Sequence, residues 1–384
     1  MPKSEFWPAD VYAHRWHFGL LFEEIYVHNI AMSSIQGENS AAAKQTADPR
    51  DRLGRPIRDL RISLLDQCNF RCPYCMPEAK FHADYQFLTR RQRLSHDEIL
   101  RLASIAVAMG VTKLRLTGGE PLLDKKVVDL VARLGELDGV DDLALTTNAT
   151  LLAPIAQRLA GAGLHRVTVS LDTLDEDIFK AMSGGRGKLA DVLEGIAAAE
   201  DAGLTPVKIN AVVQRGVNDH TILDLLDHFR GSGHIVRMIE YMDVGNRNNW
   251  RVEEVVASSD LLDLIQNRWP VIPVDPSYRG EVARRYKYLD GGGEIGFISS
   301  VTEPFCGSCS RARLSAEGVL YTCLFASTGT SLRDPMRNGA SDAELADILS
   351  SIWLRREDRY SELRGPDQPL QQLTNKVEMY RVGG

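Results

Sequence analysis

No apolar run in the 384 residues approaches the ~18 residues that a membrane span needs. The most apolar early stretch, 17–32, holds Glu23, Glu24 and two histidines and lacks a basic leader, so it predicts neither a span nor a signal peptide. Positive charge is not in excess either. The net charge of −7 argues against broad electrostatic binding to nucleic acid or an acidic membrane. Six cysteines are too sparse for a secreted disulfide scaffold. A cytoplasmic protein is expected, with no nucleic-acid or membrane partner. The fingerprint G-x-G-x-x-G is missing after the first predicted strand, which counts against a dinucleotide fold. Histidine is absent between Arg58 and Phe81 and again between Ser277 and Gly384, so neither cysteine group has a neighbour to close a four-ligand zinc site.

What is present is ordinary globular composition, 44% hydrophobic and 25% charged, which excludes a wholly disordered chain. Residues 1–50 read as an N-terminal extension, disordered or dispensable. From 33 to 50 it is Ser, Ala, Gln and Asp with little apolar content, and Met32 offers a second start. From Arg58 onward β-rich runs (60–65, 113–117, 143–148, 167–172, 207–212 and 236–242) alternate with amphipathic stretches (96–109, 125–137, 153–162, 189–202 and 222–229). Six β/α units predict an α/β fold: a partial, incomplete parallel β/α barrel over 51–280. Beyond it, 285–289 and 294–298 flank Gly291-Gly292-Gly293 and predict a hairpin at the start of a C-terminal cap, 281–384.

Side-chain parity says what such a barrel holds. Alternate residues of a strand face opposite sides. One parity is apolar: Leu60, Ile62, Leu64; Leu114, Leu116; Leu143, Leu145; Val167, Val169, Leu171; Val207, Ile209. The other carries Arg61, Ser63; Lys113, Arg115, Thr117; Thr146, Asn148; Thr168, Ser170; Lys208, Asn210. An ordinary barrel interior is filled by branched apolar residues. A polar, cationic interior predicts a wide lumen for a polar, anionic ligand.

The cysteines form two groups of three. Cys68-x3-Cys72-x2-Cys75 follows the first strand, and Pro73 and Pro77 keep that segment from a regular helix. Cys306-x2-Cys309-x13-Cys323 lies beyond the hairpin. Three thiolates can hold three irons of a 4Fe–4S cube and leave the fourth open, whereas electron-transfer clusters usually close with four cysteines. Two clusters with three ligands each are therefore expected.

The first group, with Tyr74 before its third cysteine and Gly118-Gly119-Glu120-Pro121 after the second strand, resembles the radical S-adenosylmethionine superfamily. The stretch from about Arg58 to Gly384 resembles one family within it, the GTP 3′,8-cyclases of molybdenum cofactor biosynthesis. The matching pieces are Arg58–Ser63, Lys113–Leu122, Thr146-Thr147-Asn148, Val169–Asp172, Lys208-Ile209-Asn210, Glu240–Asn246, the second cysteine region and the terminal Gly383-Gly384. The resemblance implies two 4Fe–4S clusters, on Cys68, Cys72 and Cys75 and on Cys306, Cys309 and Cys323. It implies S-adenosylmethionine contacts at Tyr74, Gly119, Ser170 and Met242. GTP contacts are implied at Arg61, Arg115, Thr146, Lys208, Arg311 and Arg313, and a tail, Gly383 and Gly384, reaching into the active site. The implied reaction takes hydrogen from C3′ of GTP with a 5′-deoxyadenosyl radical, adds the C3′ radical to C8, and by uptake of one electron and a proton gives 3′,8-cyclo-7,8-dihydro-GTP. Implied partners are a ferredoxin- or flavodoxin-type electron donor and cyclic pyranopterin monophosphate synthase downstream; a homodimer stays open. Two departures stand out. Ala149 replaces the glycine common after Thr146-Thr147-Asn148, harmless unless a positive φ is required, and Tyr380-Arg381-Val382 differs from the usual tail. Rival readings are a radical enzyme that modifies a peptide, using the second triad as an auxiliary centre, and a non-catalytic iron–sulfur redox sensor.

Overall fold

The computed structural model describes residues 48–364 and 375–383. The expected N-terminal extension falls outside the described residues up to position 47, and so does Gly384. Twelve strands form one sheet: β1 (Asp59–Ser63), β2 (Lys113–Thr117), β3 (Asp142–Thr147), β4 (Arg166–Ser170), β5 (Lys208–Val213), β6 (Ile235–Glu240), β7 (Val271–Val274), β8 (Arg284–Tyr288), β9 (Glu294–Ile298), β10 (Arg311–Leu314), β11 (Val319–Tyr321) and β12 (Thr330–Ser331). Their order is β12-β11-β10-β1-β2-β3-β4-β5-β6-β9-β8-β7. Strands β1 to β6 are parallel neighbours in chain order, with helices between them, and the sheet does not close. This is the expected partial barrel.

The hairpin is present as β8 and β9, with Tyr286 opposite Ile295. Its docking was not legible: β9 lies parallel to β6, and β10 lies parallel to β1. Strands from 281–384 thus extend both flanks of the six-unit sheet. A helix at Glu176–Met182, capped by Asp175, adds to the predicted set; at seven residues it is too short to show a periodic pattern.

Every residue of the apolar parity is buried, none more than 4% exposed. Each such side chain stabilises the fold by about 1.5–3 kcal/mol through area removed from water. The facing helices present Ile99, Leu102 and Ala106, Leu130 and Leu134, Val192 and Ile196, and Leu225 and Phe229 to the same core. The first of them, His96–Ala108, starts at a capping box in which Ser95 and Glu98 satisfy each other's backbone N–H.

Ala149 sits in this core at φ +63. The position does take the left-handed conformation, where an L side chain costs about 1–2 kcal/mol. Exchange for glycine relieves that strain, loses about 0.8 kcal/mol of methyl burial and adds about 0.5–1 kcal/mol of chain entropy cost. The terms nearly cancel. Ala149→Gly is expected to shift stability by less than about 0.5 kcal/mol, read as an unchanged denaturant midpoint.

Candidate active site

Two adjoining cavities occupy the polar side of the sheet. The smaller, about 180 Å³, is walled by the first cysteine loop, the turn after β2, and the ends of β3 to β5. Cys68, Cys72 and Cys75 all line it; each thiol is free and half-buried. Arg71, itself buried, shapes the loop by donating to the carbonyls of Cys68 (2.7 Å), Phe70 (2.8 Å) and Phe81 (3.0 Å). The turn after β2 docks directly on this loop, with Gly119 N–H to Leu65 O at 2.8 Å and Glu120 N–H to Gln67 O at 2.7 Å. A Cβ on Gly119 would lie 1.9 Å from Gln67 O, so only glycine permits that approach.

Glu120 is buried beneath the turn and accepts from Thr147 Oγ1 (2.7 Å), Asn148 N (2.8 Å) and Leu122 N (3.0 Å). Burial still pushes it up to about 7. Tyr74 donates to Asp172 at 2.8 Å, and Asp172 also accepts from Val212 N. Burial pushes Asp172 up to about 6. Burial, with the Glu120 charge behind it, raises Cys68 to about 12, and Cys72 and Cys75 are pushed up by burial as well. These thiols ionise only when a cationic group binds them.

The larger cavity, about 440 Å³, is lined by the second cysteine triad and a cationic wall. Strand register builds the wall. Arg61 on β1 lies opposite Arg115 on β2 and opposite Arg313 on β10, so three arginines stand in one row. One step along, Asp59 lies between Lys113 and Arg311. Lys208, Arg166 and Arg237 continue the wall across β4 to β6. Arg115 donates to Thr146 and Thr168, and Arg237 donates to Asn210.

Asp142 pairs with Lys113 and Arg166, but the other cations are under-compensated. Buried Arg61 Nε, Arg115 Nε and Arg313 Nη1 have no hydrogen-bond partner. Burial and then Arg313 hold Arg61 well below the ordinary arginine value. Burial, followed by Arg237, Arg166, Lys113 and Arg115, brings Lys208 down to about 7. Burial lowers Arg237 to about 9. Buried cations without counter-charge are costly, so the wall is built for an anion with several oxygens. At its edge Arg311 donates to Cys309 Sγ from Nε and Nη2, both at 3.3 Å. Burial disfavours the Cys309 thiolate, but Arg311 and Arg356 prevail and hold it at about 6.

Thr146, Asn210, Ile239 and Met242 line both cavities, so ligands in the two would share a wall. Of the residues expected from the sequence, Tyr74, Gly119, Ser170 and Met242 line the smaller cavity, and Arg61, Arg115, Thr146, Lys208, Arg311 and Arg313 line the larger. Gly383 takes φ +67 against β2, where a Cβ would lie 2.1 Å from Thr117 Cγ2. The tail is seated by Tyr380, which meets Tyr85 hydroxyl to hydroxyl at 3.1 Å and the ring of Phe81 edge-on at 4.9 Å. Arg166, Arg237, Asp59 and Asp172 also line the cavities and are not among the site residues expected from the sequence. Arg166 precedes Thr168 by two, and Arg237 has lumen parity on the sixth strand, so extending the alternation would have found both.

Comparison with known proteins gives the family. The description Radical SAM superfamily matches residues 62–229, and Molybdenum Cofactor Synthesis C matches 234–362. The GTP 3′,8-cyclase of Xanthomonas axonopodis pv. citri (strain 306) is 52% identical over 88% of this chain and 100% of its own. That of Staphylococcus aureus (strain JH9) is 42% identical over 87% of this chain and 98% of its own. The chain belongs to the GTP 3′,8-cyclase family. Among solved structures, Streptococcus suis SuiB bound to precursor peptide SuiA aligns with TM-score 0.54 at 15% identity, over 77% of this chain and 64% of that one. At that identity the likeness speaks to the fold alone.

Membership of the radical SAM superfamily brings S-adenosylmethionine and an iron–sulfur cluster. The first triad fits the cluster. Three free thiols border one cavity. Thiols spaced around a hollow suit a polynuclear group, each binding its own metal atom.

Proposed function

We propose that this chain converts GTP to 3′,8-cyclo-7,8-dihydroguanosine 5′-triphosphate, as a radical S-adenosylmethionine lyase of molybdenum cofactor biosynthesis in the cytoplasm. The observation that carries the reading is the row Arg313–Arg61–Arg115, with orphaned donors, in a cavity sharing a wall with the one that holds the first triad. A triphosphate supplies the oxygens those guanidinium groups lack, and arginine binds them in pairs. Cys68, Cys72 and Cys75 hold the 4Fe–4S cluster, whose chemistry when bound is to pass an electron to S-adenosylmethionine and release a 5′-deoxyadenosyl radical. Tyr74, Gly119, Ser170 and Met242 position that cofactor. Arg61, Arg115, Thr146, Lys208, Arg311 and Arg313 hold GTP, with Met242 and Thr146 at the boundary where C3′ meets the radical source. Cys306, Cys309 and Cys323 hold a second cluster that orients the guanine end. The 51–280 barrel carries the first triad and the 281–384 cap the second, and both segments contribute cations to the GTP site. A ferredoxin- or flavodoxin-type protein supplies electrons, and cyclic pyranopterin monophosphate synthase takes the product. A peptide-modifying reading gives the arginine row no work to do.

Anaerobic incubation with dithionite, S-adenosylmethionine and GTP tests the reading. Cyclised nucleotide and 5′-deoxyadenosine are expected together; 5′-deoxyadenosine without any nucleotide product refutes it.

Lys208 gives a pH prediction. Its value near 7 in the free enzyme rises when a polyanion binds, so binding takes up a proton. Affinity is therefore full below about pH 7 and falls as pH rises through 7 toward the bound value, by up to about tenfold per pH unit. Calorimetry in buffers of different ionisation enthalpy should show proton uptake at pH 8, and Lys208→Gln should remove most of it. A flat affinity from pH 7 to 9 in the wild type overturns the prediction.

A further inference from the structure

The second cysteine triad is assembled from two separate segments, a short turn at Cys306–Ser308 running into Cys309, and Cys323 just after β11. Beneath it lies a buried ionic group, of which Arg356 also lines the larger cavity. Arg55, Asp51 and Arg356 have side chains 1%, 0% and 1% exposed. Asp51 joins the two arginines, accepting from Arg55 Nε at 2.6 Å and from Arg356 Nη1 at 3.1 Å. Its other oxygen accepts the backbone N–H groups of Arg55 (2.9 Å) and Leu53 (3.0 Å).

Other donors of the two arginines reach the cysteine segments, and Arg356 Nε also donates to Asp358 Oδ2 at 3.2 Å. Arg55 Nη1 donates to Cys306 O at 2.6 Å and to Asp358 O at 3.0 Å. Arg356 Nη1 donates to Cys309 O at 2.7 Å, and its Nε donates to Thr322 O, the carbonyl before Cys323, at 3.2 Å. Trp353 locks both arginines. Its Nε1 donates to Arg55 O at 2.9 Å, and the Arg356 guanidinium lies 4.6 Å above its ring. One buried carboxylate thus fixes two guanidinium groups, and these grip the backbone at or next to all three thiols.

We propose that Asp51, Arg55 and Arg356 are positioning residues for the second triad, holding Cys306, Cys309 and Cys323 in place before any metal arrives. The inference rests on the reading that this triad holds a second cluster. A buried ionic trio is a poor device for stability alone, because well-packed apolar residues of similar volume are often neutral or better. What apolar residues cannot do is hold three carbonyls from two loops at fixed points. A guanidinium does this with several donors in one rigid plane. Ligands held in place bind a metal group without first ordering two loops.

The test uses the full chain, reconstituted anaerobically with iron and sulfide, and the apo chain. Wild type is expected to take about eight irons, one cube of four per triad. Asp51→Asn keeps the volume but loosens both arginines, and Arg356→Gln removes the grip on Cys309 and Thr322. Each should drop iron toward about four, on the order of one cube. In the apo chain Asp51→Asn should speed iodoacetamide labelling of Cys306, Cys309 and Cys323 several-fold, and Arg356→Gln that of Cys306 and Cys323, with labelling of Cys68, Cys72 and Cys75 unchanged. Arg356→Lys should recover part of the iron. Full iron content and wild-type labelling in both Asp51→Asn and Arg356→Gln overturn the proposal, as does equal loss from both triads. Should Arg356→Gln not fold, Asp51→Asn and Arg356→Lys decide by the same readouts. Cys309→Ala separates the two levels. If it also keeps about eight irons, one cube per triad still in place, the second-cluster reading has failed; if it alone loses iron, only the positioning role has.

Discussion

Replacing Cys72 with alanine is expected to abolish reductive cleavage of S-adenosylmethionine, whereas Cys309→Ala should retain cleavage without GTP and lose the cyclised nucleotide. The two triads line different cavities, so each variant disturbs one ligand environment and leaves the other walls in place. The loss of product in Cys309→Ala should be on the order of 10²-fold or more, the scale on which misplacing a reacting group by about 1 Å acts. Chromatography of 5′-deoxyadenosine and of the nucleotide product reads both halves of the reaction. Thermal unfolding must first show both variants folded, since losing a metal ligand also removes folding energy. Equal loss of cleavage in the two variants would refute the division of labour.

The terminal glycines should give the second large effect. Deleting Gly383 and Gly384 is expected to leave iron content and GTP affinity close to wild type while removing most cyclised product. The anchor of the tail lies upstream of the cut, in Tyr380 on Tyr85 and Phe81 and in fully buried Val382. Truncation therefore removes what reaches β2 and keeps what holds the segment down. Gly383→Ala should lower turnover about tenfold, because its methyl meets Thr117 and the backbone keeps a positive φ, each a cost on the order of 1 kcal/mol. Adding Thr117→Ala removes the closest atoms and should restore part of the loss. Wild-type turnover in the truncated enzyme would make the tail a passive end.

Alternation along the first five strands was enough to place Arg61, Arg115, Thr146 and Lys208 on one side and the apolar core on the other. Periodicity is local, so it survives without knowledge of neighbours. What it could not give was adjacency. Arg313 meets Arg61 only because β10 pairs in parallel with β1, a contact between distant parts of the chain. The same holds for β9 beside β6, where the sequence showed a hairpin but not the sheet it joins. Ala149 illustrates a third limit: the residue is legible and its φ is not. Arg237 was missed for a smaller reason, since the alternation was not followed onto β6.

The pairing of β10 with β1 also bears on how the chain reaches this state. A nascent chain emerges N-terminus first, so β1 to β6 and the first triad exist before β10 has been made. The late strand must then close across most of the chain, the slow kind of contact, and its arrival sets Arg313 beside Arg61, already flanked by Arg115. Closure thus works against like-charge repulsion that an anionic ligand relieves. A polyanion bound in this cavity would favour the docked β10 by mass action, and would thereby act as a ligand for completing the fold.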